Sequence, residues 1–160
     1  MMKVVGFIPA RLESKRYPNK VIKNIFDFPM VENVRRRVQI SGIFNKIFIV
    51  TNSKKLKRAL IKYTPDIIIS KKKHFNGTSR VSEISKNFKY DYAFIIFGDE
   101  PFLNYKLFAY CKKFIKKNKN TDVFNVTTNL KNNDLKSASV VKVVTNNQNF
   151  IIDYFRKKKI

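Results

Sequence analysis

The run Tyr92-Ala93-Phe94-Ile95-Ile96-Phe97 is apolar at consecutive positions and is followed at once by Gly98-Asp99-Glu100-Pro101. A strand with that pattern needs cover on both faces, which a parallel sheet flanked by helices supplies. The sequence therefore predicts a central strand here. Val4 to Ile8 and Lys46 to Thr51 are further short apolar runs, and Ile67 to Ile69 is a third, shorter one. Between them the period changes to that of a helix. Met30, Val34 and Val38 form one stripe with Gly42 placed to end it, and Leu56, Ala59, Leu60 and Tyr63 form a second that Pro65 closes. Val81, Ile84 and Phe88 form a third stripe, which Thr78 or Ser79 can cap. Asn104 can cap a fourth through Leu107, Tyr110, Cys111, Phe114 and Ile115. Alternating strands and helices predict an α/β fold with a mostly parallel sheet. Asp122 to Thr128 is a further strand candidate and Asn129 to Ser137 a loop. Val140 to Val144 and Phe150 to Phe155 read as a hairpin across Thr145 to Asn149.

With 160 residues, of which 44% are hydrophobic, the chain can build one domain with a real core, predicted as residues 1–160. Its net charge of +23 has two readings. One is a polyanionic partner; the other is codon drift, since Lys, Asn, Ile, Phe and Tyr are all enriched together. No helix-turn-helix, zinc pattern or aromatic platform accompanies the charge, so no specific nucleic-acid partner is expected. Arg35, Arg36 and Arg37 lie mostly off the first helical stripe and read as a solvated face. The single cysteine, Cys111, excludes an internal disulfide, and no apolar run reaches the roughly 18 to 20 residues of a membrane span. The protein reads as cytoplasmic, with no membrane partner. His74, the one histidine, has no second metal-binding residue at ligand spacing and reads as an ordinary loop residue.

The sequence contains no dinucleotide fingerprint and no Walker-type phosphate loop, and four glycines leave little room for either. The cations instead gather after the first strand, in Pro9-Ala10-Arg11-Leu12-Glu13-Ser14-Lys15-Arg16-Tyr17-Pro18-Asn19-Lys20. Arg11 and Arg16 offer planar forks, Lys15 and Lys20 point charges and Ser14 a hydroxyl, a set suited to a polyphosphate. Gly77-Thr78-Ser79-Arg80 places N–H groups at a helix start, where an anion or a polar base edge can bind. Asp99 ends the predicted central strand and would face the same crevice, because ligands of open α/β sheets gather at the carboxyl ends of strands.

The loop resembles the Pro-Ala-Arg-x-x-Ser-x-Arg-x-Pro-x-Lys signature of nucleotidyltransferases that load acidic sugars with CMP, and above all of the 3-deoxy-manno-octulosonate cytidylyltransferases. Asn76-Gly77-Thr78-Ser79-Arg80 is similar to that family's Ser-Gly-Thr-Asp-Arg, Phe97-Gly98-Asp99-Glu100-Pro101 to its Gln-Gly-Asp-Glu-Pro, and Val140 to Val144 to its Val-Lys-Val-Val strand. The resemblance implies a Rossmann-like nucleotide-diphospho-sugar transferase fold whose carboxy-terminal part is absent here. It implies a transferase that joins CTP to an acidic 3-deoxy sugar, Kdo, for lipopolysaccharide synthesis, releasing pyrophosphate. Related readings are a cytidylyltransferase for another surface-polysaccharide sugar and a truncated, noncatalytic nucleotide-binding remnant. By the same resemblance Arg11, Ser14, Lys15, Arg16, Lys20, Gly77, Thr78 and Arg80 would bind the nucleotide. Lys20 and Asp99 would be catalytic, and Asp99 would hold Mg²⁺. A homodimer is left open. Asn52, Ser79 and Phe97 depart from the family's Asp, Asp and Gln.

Overall fold

In a computed structural model that describes residues 2–14 and 17–156, the chain forms two compact units, 1–118 and 119–160. In the first, β1 (Val4–Pro9) leads through a 3-10 turn at Lys20–Ile22 to a small hairpin of β2 (Asn24–Ile25) and β3 (Phe28–Pro29). Then follow α1 (Met30–Ile40), β4 (Lys46–Thr51), α2 (Lys54–Leu60), β5 (Ile67–Ile69), α3 (Gly77–Ser85), β6 (Tyr92–Ile95) and α4 (Leu107–Lys117). The sheet is parallel throughout, in the order β5-β4-β1-β6. The expected helix-flanked parallel sheet is therefore present, but β1 and β4, not β6, are the strands buried on both faces.

Register explains that difference. Val5 and Phe7 of β1 stand beside Ala93 and Ile95 of β6 and face one side of the sheet. There Phe7 and Val5 pack with Phe48, Val50 and the α3 residues Val81 and Ile84, but Ala93 and Ile95 lie at the edge, exposed. Phe94 and Ile96 face the other side and are buried. Phe94 meets Phe44 and the α4 residue Phe108 edge-on, with ring centroids 5.3 and 5.9 Å apart. An apolar run serves a central strand and an edge strand alike. Which of the two it becomes depends on whether another strand pairs beyond it, and no strand of the described residues does so.

Local chemistry sets the helix ends. Ser53 caps α2 by accepting the Leu56 N–H at 3.1 Å. Gly42, at φ 66°, takes the left-handed conformation after α1 that a residue with a Cβ resists. Asn76, not Thr78 or Ser79, caps α3: it is extended, with φ −147°, and its Oδ1 accepts the Ser79 N–H at 2.8 Å. The arginines after Val34 are not simply a solvated face. Fully buried Glu32 takes two bonds from Arg35, at 2.7 and 2.8 Å, and one from Arg36 at 2.8 Å. The Arg36 guanidinium also lies 3.8 Å over the Phe28 ring, which fastens the β2–β3 hairpin to α1.

The second unit holds a five-residue helix, α5 (Asn132–Lys136), where a loop was expected. The expected hairpin is present as β7 (Lys142–Thr145) and β8 (Ile151–Phe155). Asp122 to Thr128 forms no strand; most of its side chains are exposed and no strand of the described residues pairs with it. Lys142 is buried at 3% exposure. Its ammonium donates to the carbonyls of Ser137 and Arg156, while Arg156 donates back to the Ser139 carbonyl at 2.7 Å. A two-stranded hairpin is marginal alone; this reciprocal clasp closes its open end.

Phe7 is fully buried, its ring 5.8 Å from Phe48 and 6.0 Å from Phe88 between centroids. Phe7→Ala is expected to destabilise the chain by about 3 to 5 kcal/mol, the usual cost of deleting a core aromatic ring, measured by urea unfolding. A loss below about 1 kcal/mol would show that this cluster is not the core.

Candidate active site

A parallel sheet whose first strand is followed on one side by β4 and on the other by β6 has its topological switch point between β1 and β6, and ligands bind outside the carboxyl ends there. Three segments meet at that point around Pro9. A Cβ on Gly77 would lie 2.9 Å from the Pro9 ring, so only glycine lets the start of α3 approach so closely. A Cβ on Gly98 would lie 3.3 Å from the Pro9 carbonyl oxygen and 3.2 Å from Val31. The loop after β1, the first turn of α3 and the turn after β6 are thereby held side by side.

The cations follow from that arrangement. Ala10 N–H donates to the Val50 carbonyl at 2.9 Å, which continues the sheet for one residue before the loop departs. Asn19 N–H returns to the Leu12 carbonyl at 2.9 Å, and Asn19 adopts φ 59° to turn the chain into the 3-10 segment. Lys20 opens that segment, and its ammonium donates to Asp99 Oδ2 across the crevice. Ser14 is half-buried and its hydroxyl accepts the Tyr17 N–H at 3.4 Å. Arg11 is exposed. Lys15 and Arg16 lie outside the described residues.

Arg80, on the first turns of α3, is 6% exposed, and its Nε has no hydrogen-bond partner among the described residues. Its pKa is lowered chiefly by burial; the charge of Glu13 opposes that shift and the charge of Arg11 adds to it. Arg80 therefore lies within electrostatic reach of the loop after β1. Gly77 and Thr78, the first two residues of α3, have N–H groups with no acceptor among the described residues, whereas Ser79 and Arg80 donate to Asn76. Of the residues that sequence alone singled out, the structure joins Lys20 directly to Asp99 and brings Gly77 and Arg80 to the same end of the sheet.

Sequence reasoning missed Glu100 and His74. The carboxyl of Glu100 is raised, first by partial burial and then by the neighbouring charge of Asp99. His74 is no ordinary loop residue: its Nε2 lies 2.6 Å from Glu83 Oε2 on α3. The nine-residue separation of that pair was the available signal, but the turn that closes it is tertiary.

No group of three or more His, Cys, Asp or Glu side chains gathers among the described residues. The donors at the crevice nevertheless suit a hard dication that draws most of its ligands from a substrate. Mg²⁺ is commonly held by one or two carboxylates plus phosphate oxygens, and the Asp99 side chain is 43% exposed with Glu100 beside it. Asp99 fits as one such ligand.

The raised carboxyl of Glu100 fixes the sign of a pH effect. A carboxyl whose folded pKa exceeds its unfolded value costs stability above that window and costs none below it. Glu100→Gln should therefore melt higher than the parent at pH 7, with the gap closing as the pH falls toward 4. A difference that persists unchanged at low pH would contradict the burial and repulsion assigned here.

The family model described as Cytidylyltransferase matches residues 5–160. The chain is 32% identical over 161 residues to a 3-deoxy-manno-octulosonate cytidylyltransferase of Fusobacterium nucleatum, covering 99% of this chain and 65% of that protein. It is 27% identical to one from Christiangramia forsetii, covering 96% and 63%. Among solved structures it is similar to a CMP:2-keto-3-deoxy-manno-octonic acid synthetase complexed with CTP, with a TM-score of 0.81 at 23% identity over 97% of this chain and 64% of the other. The chain thus spans a little under two thirds of the length of these relatives. No helix of the described residues is long and apolar enough to cross a membrane. On the match across residues 5–160, the chain belongs to the cytidylyltransferase family.

Proposed function

We propose that this chain binds CTP at the crevice between β1 and β6 and belongs to an enzyme that transfers CMP to an acidic 3-deoxy sugar, Kdo, for lipopolysaccharide synthesis in the cytoplasm. The observation that carries this reading is the contact between Lys20 and Asp99 at the switch point of the sheet, beside a first turn of α3 with open N–H groups. Relatives named for Kdo support the choice of sugar; another surface-polysaccharide sugar is the near alternative.

In the reaction the sugar hydroxyl attacks the α-phosphorus and gives up its proton to solvent, the bond from that phosphorus to the bridging oxygen breaks, and pyrophosphate leaves with the electron pair. Little covalent help is needed; charge neutralisation and alignment carry the step. Arg11, Lys15, Arg16 and Lys20 neutralise the triphosphate, and Ser14 adds a hydroxyl. Lys20 reaches the leaving phosphates from a 3-10 turn anchored by backbone bonds, so its charge is placed before substrate arrives. Gly77 and Thr78 offer backbone N–H donors, and Arg80 supplies a buried charge behind them. Asp99 would hold Mg²⁺, which when bound would supply further neutralisation of the phosphate charge.

A second reading, a noncatalytic nucleotide-binding remnant, is favoured by Asn52, Ser79 and Phe97, which stand where the family has Asp, Asp and Gln. Calorimetry with CTP and Mg²⁺ tests the site. Arg11→Ala and Lys20→Ala should each weaken binding by at least about tenfold, as loss of a charge-assisted contact of roughly 1.5 to 3 kcal/mol requires; unchanged affinity in both removes the site. Pyrophosphate release with CTP and Kdo that disappears in Asp99→Asn separates the enzyme from the remnant, which would bind CTP and release none.

A further inference from the structure

The segment Lys71 to Phe75 between β5 and α3 makes no backbone hydrogen bond among the described residues, and Phe75 is 100% exposed. Before it, Ser70 N–H donates to the Thr51 carbonyl at 2.8 Å; after it, Asn76 caps α3. A loop with so little of its own bonding should fray, and the cap at its end should fray with it. What ties it down is one carboxylate. Glu83, on the second turn of α3, receives His74 Nε2 at 2.6 Å, and the Lys72 ammonium lies 4.0 Å away. The His74 side chain is 10% exposed, whereas that of Lys72 is 78% exposed, so the histidine makes the contact shielded from solvent, while the lysine pair is screened and adds little.

We propose that His74 and Glu83 form a positioning pair that holds the start of α3 in the orientation in which Gly77 and Thr78 present their N–H groups to the nucleotide. The proposal rests on the nucleotide reading given above. The pair closes a ring: from Glu83 through His74 along the loop to Asn76, and from Asn76 through its bond to Ser79 back up the helix. Gly77 sits inside that ring against the Pro9 ring, and a residue without a side chain has more backbone freedom to lose on ordering. The two contacts at its flanks restrict that freedom. Neither His74 nor Glu83 has to touch the ligand. Their contribution is to order, before binding, donors that would otherwise be ordered at the expense of affinity.

The test pairs a binding measurement with a readout of the cap itself. His74→Gln, Glu83→Gln, the double variant and His74→Lys are compared with the parent by amide hydrogen exchange at Ser79, whose N–H is bonded to Asn76, and by calorimetric CTP titration with Mg²⁺. Each single glutamine variant is expected to speed Ser79 exchange and to weaken CTP by about threefold to tenfold, the range for one charge-assisted bond acting through preorganisation. The double variant should be no worse than the poorer single one, as for two halves of one contact. His74→Lys keeps a nitrogen donor for Glu83 and should recover most of the affinity. Unchanged Ser79 exchange and CTP affinity in both single variants overturns the pair. Weakened CTP with unchanged Ser79 exchange overturns the positioning role in favour of direct contact. A parent that protects Ser79 but binds no CTP overturns the nucleotide reading, and the proposal falls with it.

Discussion

Everything at the carboxyl end of the sheet depends on how closely backbone can approach Pro9. Its ring stands where a Cβ of Gly77 would be, and its carbonyl oxygen stands 3.3 Å from where a Cβ of Gly98 would be. Close-packed interiors transmit such constraints because nothing nearby can yield without moving an element. With small residues at both places, α3 and the turn after β6 close on the end of β1. Arg80 and Asp99 then sit within reach of a loop that carries the cations. A larger residue at either position would separate the parts of the site while leaving each part intact.

Charge is arranged in the molecule with more economy than a net +23 suggests. Three carboxylates gather donors: Glu32 holds Arg35 and Arg36, Asp99 holds Lys20, and Glu83 holds His74 with Lys72 nearby. Asp99 lies at the crevice, where Lys20 reaches it. An acidic residue in so basic a chain therefore acts as an organiser, and the one deep inside, Glu32, ties the β2–β3 hairpin to α1 through Arg36 and Phe28. The buried Lys142 does the converse in the second unit, where backbone carbonyls replace carboxylates as its partners.

Much of the fold could be read directly from the chain. The apolar runs of β1, β4 and β5 and the stripes of α1 and α3 are local signals, set by side chains a few residues apart, and the structure places an element at each. Asp122 to Thr128 carries a similar signal and forms no strand, because a strand also needs a partner. Neither the sharing of Glu32 nor the capping by Asn76 was legible: Glu32 looked like one more polar helix residue, and Asn76 preceded two residues equally able to cap. Family resemblance pointed to Lys20, Gly77, Arg80 and Asp99 together, and the geometry brings them to one end of the sheet. It gave no hint of His74, whose role depends on a contact across a loop.

The sequence by itself determined the alternation of strands and helices, the parallel sheet and the concentration of cations after β1. Those properties arise from hydrophobic period and residue type, which act over a few positions. Only the tertiary structure decided that β6 is an edge strand, that Asp99 meets Lys20, that Arg80 is buried with an unpartnered Nε, and that His74 is tied to α3. Each of these depends on which surfaces come to lie against one another. That is settled by packing and by the close approach that Gly77 and Gly98 permit, over separations that no local pattern spans.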